Sequence, residues 1–251
     1  MTPLRDDFVD LTKIVFSYSA SADLDLDGFK NFFEKLVPFL FKPANVNTST
    51  NIDFDNYKFF AYELMLYFIT ILLKYRKYNE AAYFINSQYF FKDQNNNLTH
   101  CNIDIFNSHI TSLTEIRNRR LQLNRIDLVA DLIKQRATRQ DIFFTELLDT
   151  DLILHYITSL QIQNFAWFPK CSVFNEIWGR KIEFFLRLIS KEYFEKVKKI
   201  FDVRDIESLK KLIVKYLQER DGNKGKHFNF SEHHILPIED VIALESIGTL
   251  Y

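Results

Sequence analysis

Apolar residues recur along this chain at the three- and four-residue intervals of an α-helix, in one segment after another. Leu4, Phe8, Leu11 and Val15 set that rhythm and predict a first helix over residues 2–18. A second is predicted over 29–41, bent or ended by Pro38 and closed by Pro43, followed by a polar loop at 44–52. Residues 55–75 contain FFAYELMLYFITILL, apolar on nearly every side, which predicts a helix at the centre of a core. That run is shorter than the ~20 apolar residues of a membrane span and carries Glu63, so no membrane partner is expected. Helices follow in the reading at 79–89, 103–137 (with a break near Asn118 or Asn124), 144–160, 173–188, 191–200 and 205–218, with a short one near 237–246.

The tract DQNNN at 93–97 is the clearest linker signal inside the chain. It divides the expected organisation into an N-terminal helical subdomain at 1–92 and a C-terminal one at 98–220. A polar loop and docking tail at 221–251 completes the reading, the whole being compatible with one domain. Residues 62–90, through KYNEAAYF, resemble one tetratricopeptide helix pair. No second copy follows at a period of ~34 residues, so an ordinary helical hairpin is expected. The fold class that results is all-α, a multi-helix bundle of about eight to ten helices with little or no β-sheet.

Composition sharpens this picture. The 251 residues include 26 Phe and 12 Tyr, so the core is expected to be aromatic-rich. Only 5 Gly are present, and no glycine-rich phosphate or dinucleotide loop can be found. A formal net charge of -1 gives no global attraction to nucleic acid or anionic membrane. The two cysteines, Cys101 and Cys171, form neither a C-x-x-C pair nor a disulfide framework. The charged N-terminus has no apolar signal-like region, and a cytoplasmic location is expected.

Candidate chemistry is sparse. DLDLDGFKNFFE, from Asp23 to Glu34, fits the calcium-binding EF-hand loop, with Asp23, Asp25, Asp27 and Glu34 as ligands and Gly28 at the turn. Lys30 stands where a paired hand carries an aliphatic residue, and no sister loop is found. The competing reading makes DLDGFKNF and DFDNYKFF two helix starts, with Asp27 and Asp55 as N-caps. Ca2+ is thus an optional ligand, and no other cofactor is expected. His227, Glu232, His233 and His234 cluster near the C-terminus, where a solvated loop is the simpler reading than a metal site. Arg220 and His227 match the loose Arg-x4-6-His spacing of HEPN-type ribonucleases, but the turn-like DGNKGK lies between them.

Residues 115–139 hold seven Lys/Arg against three acids, a possible nucleic-acid face through Arg117, Arg119, Arg120 and Arg125. On a continuous helix those arginines make no clean basic face, so a two-sided core helix with snorkelling arginines is the alternative. NFAWFPK is expected to be a rigid apolar corner, with Cys171 as a small buried group beyond it. Trp167 and Phe168, together with Ile238, Val241 and Ile242 of the tail, are the candidate anchors for a protein partner. Three functional expectations follow, in order. The first is a non-enzymatic, helical protein-interaction subunit, an accessory or scaffold part of a larger assembly. The second is a nucleic-acid-binding helical protein using 115–139. The third is calcium binding at 23–34.

Overall fold

The architecture comes from a computed structural model that describes residues 2–18, 25–42, 50–93, 95–161, 166–175, 181–222 and 235–250. The fold is all-α: eleven α-helices and one two-stranded hairpin occur among the described residues. Helix α1 (Thr2–Tyr18) and helix α2 (Leu26–Leu36) lead to a 3-10 turn at Val37–Leu40 that takes Pro38 in its first turn. Helix α3 (Asp55–Lys74) is the axis of the molecule, with 15 of its 20 residues buried. It packs against α1 on one side and against α7 (Phe144–Gln161) on another. Helix α3 is apolar nearly all round, which is why it does not lie on the surface, and α7 buries polar as well as apolar side chains.

Phe68 of α3 is the hub of the aromatic core. Its ring meets those of Phe8, Phe16, Phe29, Phe33 and Phe84, the last edge-on at 4.6 Å. Such edge-to-face pairs add to the area term that drives burial. One continuous cluster of buried apolar side chains extends from Phe8 to Ile247.

Helix α4 (Tyr78–Asn86) ends short of its predicted limit, and Tyr89–Lys92 forms strand β1, antiparallel to β2 (Leu98–Cys101). Asp93 and residues 95–97 of the predicted linker lie in the turn of this hairpin. The Asp93 carboxylate accepts backbone N–H bonds from Asn95 and Asn97, both 2.8 Å, and Asn96 sits at φ 64°. Asn and Asp both favour linkers and tight turns, so composition alone does not separate the two.

The long helix predicted over 103–137 does not form. A 3-10 turn at Ile103–Asn107, a π-helix at Ser112–Arg117, a single turn α5 (Asn118–Arg120) and α6 (Leu128–Arg136) take its place. Asp127 restarts the chain as α6 by accepting the N–H groups of Val129 (2.7 Å) and Ala130 (3.1 Å). The helix predicted over 173–188 is likewise a 3-10 turn at Lys170–Phe174 and a short α8 (Glu183–Leu186).

Helices α9 (Lys191–Val197) and α10 (Ile206–Gly222) follow, and the tail with α11 (Ile238–Val241) packs back onto the body. Gly248 N donates to Leu188 O, Leu250 N to Ile189 O and Lys191 N to Leu250 O, each at 2.9 Å. Gly248 has φ 68°, and a Cβ there would lie 2.2 Å from Ile206 Cδ1, so this position requires glycine.

Candidate docking surface

Residues 110–127 leave the core and return to it. Ile110 is buried at one end and Asp127 at the other. The buried Asp55 carboxylate holds the outgoing strand of chain by accepting the Ser112 N–H at 2.6 Å. The π-helix then carries the backbone outward, a form that frequently marks functional positions. Gln122 and Asn124 turn it back in the left-handed region, at φ 50° and 48°. Non-glycine residues there cost of order 1 kcal/mol or more each and persist only where surroundings hold them. Asn118 supplies the hold: its amide donates to Arg125 O (2.7 Å) and accepts from Arg125 N (3.1 Å).

The excursion keeps large apolar side chains in water. Ile116, Leu121, Leu123 and Ile126 are 45, 48, 39 and 57 % exposed. Arg117, Arg119 and Arg120 are exposed between them and make no ion pair among the described residues. Arg125 differs, its guanidinium bridging both oxygens of Asp131 at 2.7 Å. Thr114, Glu115, Asn118, Arg119, Gln122 and Asn124 line an open hollow of about 480 Å³ on this segment. The expected core helix is therefore absent here. Its apolar residues and its arginines share one projecting surface, because the π-helix and the left-handed turn disrupt the 3.6-residue register.

A second exposed apolar surface lies on α1. Leu4, Leu11 and Ile14 are 58, 54 and 58 % exposed, on a face that also carries Asp7 and Asp10. The sequence stripe had placed Leu4 and Leu11 inward. Arg5, Phe8, Val9, Thr12 and Phe16 take that place instead. The reason is electrostatic. Glu63, buried in α3, receives both guanidinium arms of Arg136 at 2.7 Å and Arg5 at 3.2 Å, and Arg5 also donates to Arg136 O at 2.8 Å. A buried carboxylate must be paired, and this pairing sets the rotation of α1.

The residues read as calcium ligands have other partners. Asp25 is the N-cap of α2, accepting the Gly28 N–H at 2.8 Å, a place the sequence had given to Asp27. Asp27 accepts the Tyr83 hydroxyl at 2.6 Å, and Glu34 accepts the Phe90 N–H at 3.0 Å. Both sit on α2 itself, seven residues and so about 10 Å apart along the axis. Asp23 lies outside the described residues, as do His227, Glu232, His233 and His234. No group of three or more His, Cys, Asp or Glu among the described residues could hold a metal ion. Asp55 is not an N-cap either. The capping box before α3 belongs to Thr50 and Asp53, and Asp55 instead bonds Lys58 (2.7 Å) and Ser112.

The expected partner anchors are mostly interior. Trp167, Ile238 and Ile242 are buried, while Phe168 and Val241 are half-buried. Trp167 belongs to a polar cluster the sequence reading missed. Asp151, His155 and Thr158 lie one and two turns apart on α7 and bind the turn that carries Trp167. Asp151 accepts Trp167 Nε1 (2.6 Å) and Cys171 N (2.7 Å), His155 Nδ1 donates to Trp167 O (2.9 Å), and Thr158 Oγ1 accepts Trp167 N (2.8 Å). Lys170 reaches Asn107 O at 3.0 Å with its ammonium 4.4 Å from the Tyr62 ring centroid. Burial pushes the Asp151 carboxyl up to about 6, despite the lowering hydrogen bonds, and pushes Lys170 down to about 8 and His155 down to about 4. None of these side chains is more than 7 % exposed, so the cluster fastens a turn to the core rather than opening to a substrate. Polar residues at 151, 155 and 158, spaced along one face of α7, were its sequence signal.

Comparison of the chain with protein-family models, with curated protein sequences and with solved structures gives no match. No helix among the described residues is long and apolar enough to cross a membrane.

Proposed function

We propose that this chain is a non-enzymatic protein-interaction subunit, an accessory or scaffold part of a larger assembly, and that it docks through the projecting segment 111–126. The observation that carries the reading is the set Ile116, Leu121, Leu123 and Ile126, held in solvent between Arg117, Arg119 and Arg120. Contiguous exposed apolar surface marks interaction sites, and arginine is enriched in them. The strained turn and its Asn118 clamp support the same reading, since stability is given up to keep these side chains outward. This surface replaces Trp167, Ile238 and Ile242 as the proposed docking site.

The test is purification of the tagged chain from its native host at physiological salt, beside the double variant Ile116→Asp/Leu121→Asp. The wild type should retain a stoichiometric protein partner, and the variant should lose it without change in melting temperature. An eluate whose ultraviolet absorbance is dominated by nucleic acid, and which loses that signal on Arg119→Glu, would replace this reading with the nucleic-acid one.

A further inference from the structure

We infer that the partner for the projecting segment is a second copy of this chain, which docks the outward face of its α1 there. The inference rests on the interaction-subunit reading and names the occupant. Of the exposed apolar residues, those on α1 and those on 111–126 lie beside charges of opposite sign. Residues 111–126 carry four arginines against one acid, Glu115. The α1 face carries Asp7 and Asp10 beside Leu4, Leu11 and Ile14. Positions 4, 7, 11 and 14 follow the three-four-three spacing of a single helix face, the form in which a helix presents anchors to a receiving surface. Asp10 is already bound to Arg139 at 2.5 Å, whereas Asp7 has no ion pair among the described residues and is the natural counterpart of Arg119 or Arg120. Among the described residues, no hydrogen bond or ion pair joins the two surfaces within one molecule.

Because the two surfaces differ, the contact is heterologous. Every copy offers one donor face and one acceptor segment, so copies add head to tail into a ring or an open chain. That geometry makes a distinctive experiment possible. Ile14→Asp disables only the donor face, and Leu121→Asp only the acceptor segment. Both positions are exposed, so both variants should melt like the wild type. In light scattering after size exclusion, with samples raised to about 100 μM at low salt, the wild-type mass should climb with concentration. Each variant alone should stay monomeric. Their mixture should form a dimer of one copy of each and grow no further, since each copy keeps one working surface.

A wild type that remains monomeric throughout, an oligomer that survives either variant, or a mixture that does not pair would overturn the inference. Should the wild type be monomeric while the host partner is still lost on Ile116→Asp/Leu121→Asp, the interaction-subunit reading stands with a different occupant. Retention of the host partner by Ile116→Asp/Leu121→Asp would instead remove that reading itself.

Discussion

Glu63 shows what a single charged residue does in this fold. It lies inside the apolar helix α3 and pairs with two arginines, one from α1 and one from α6, the first of which also pairs with Asp6. Substituting Glu63→Gln removes the carboxylate that Arg136 grips with two bonds of 2.7 Å and leaves the fully buried Arg5 with Asp6 as its remaining acid. Breaking a buried pair this way typically costs ~3–5 kcal/mol, so urea unfolding should show a loss of that order. The α7 cluster offers a second test, in pH. Asp151, raised from its ordinary 3.8 to about 6, contributes stability that is present below 3.8 and lost as pH rises through 6. His155, lowered from 6.5 to about 4, contributes stability present above 6.5 and lost as pH falls through 4. The two slopes oppose one another over the same window. Relative to wild type, Asp151→Asn should therefore make stability climb more steeply from pH 4 to 6, and His155→Gln should make it decline. Urea midpoints at pH 4, 5 and 6 would check both signs.

Among the elements, α3 was readable because continuous apolarity ran over nearly its full length, whereas for α1 the sequence placed the helix and not its buried face. The projecting segment was not readable. Its leucines, isoleucines and arginines fit a helix wheel as well as α6 does, and the departure depends on Asp55 holding Ser112 from another element. Asn118→Ala should release the turn. Amide exchange over 118–126 should quicken while the global melting temperature changes little, since few buried side chains depend on this segment. Equal protection in the variant would show that Gln122 and Asn124 hold their conformation unaided. At the other end of the chain, Gly248→Ala forces a left-handed alanine against Ile206. It should cost about 1–3 kcal/mol and loosen the tail, exposing Ile247. Proteolysis after residue 235 would report that loosening directly.

For the molecule as a whole, the continuous core from Phe8 to Ile247 predicts one cooperative unfolding transition. Coincident melts by circular dichroism and by tryptophan fluorescence would bear this out. Two separated transitions would mark 1–92 and 98–220 as independent units. The tail belongs to the same unit, because Ile238, Ile242 and Ile247 are interior residues. Most of its apolar sequence is accounted for by intramolecular packing, with Leu250 left outside, and apolar area in water remains on α1 and on 111–126 as well as at Phe39, Leu98 and Phe143.

Sequence alone determined the helical class, the aromatic core, the central place of α3 and the burial of Cys171. Each follows from local periodicity or from composition, which act through the chain's own neighbours. Tertiary structure alone decided the rotation of α1, the hairpin in place of a linker, the polar cluster around Trp167 and the outward turn at 111–126. The rotation of α1 and the outward turn depend on a buried charge finding its partner in a distant element, the Trp167 cluster on buried polar groups meeting across a loop, and the hairpin on a turn that composition does not separate from a linker. Glu63 meets Arg136 across 73 residues, and Asp55 meets Ser112 across 57. The need to satisfy such groups is strong, but no local pattern states which residue will satisfy them.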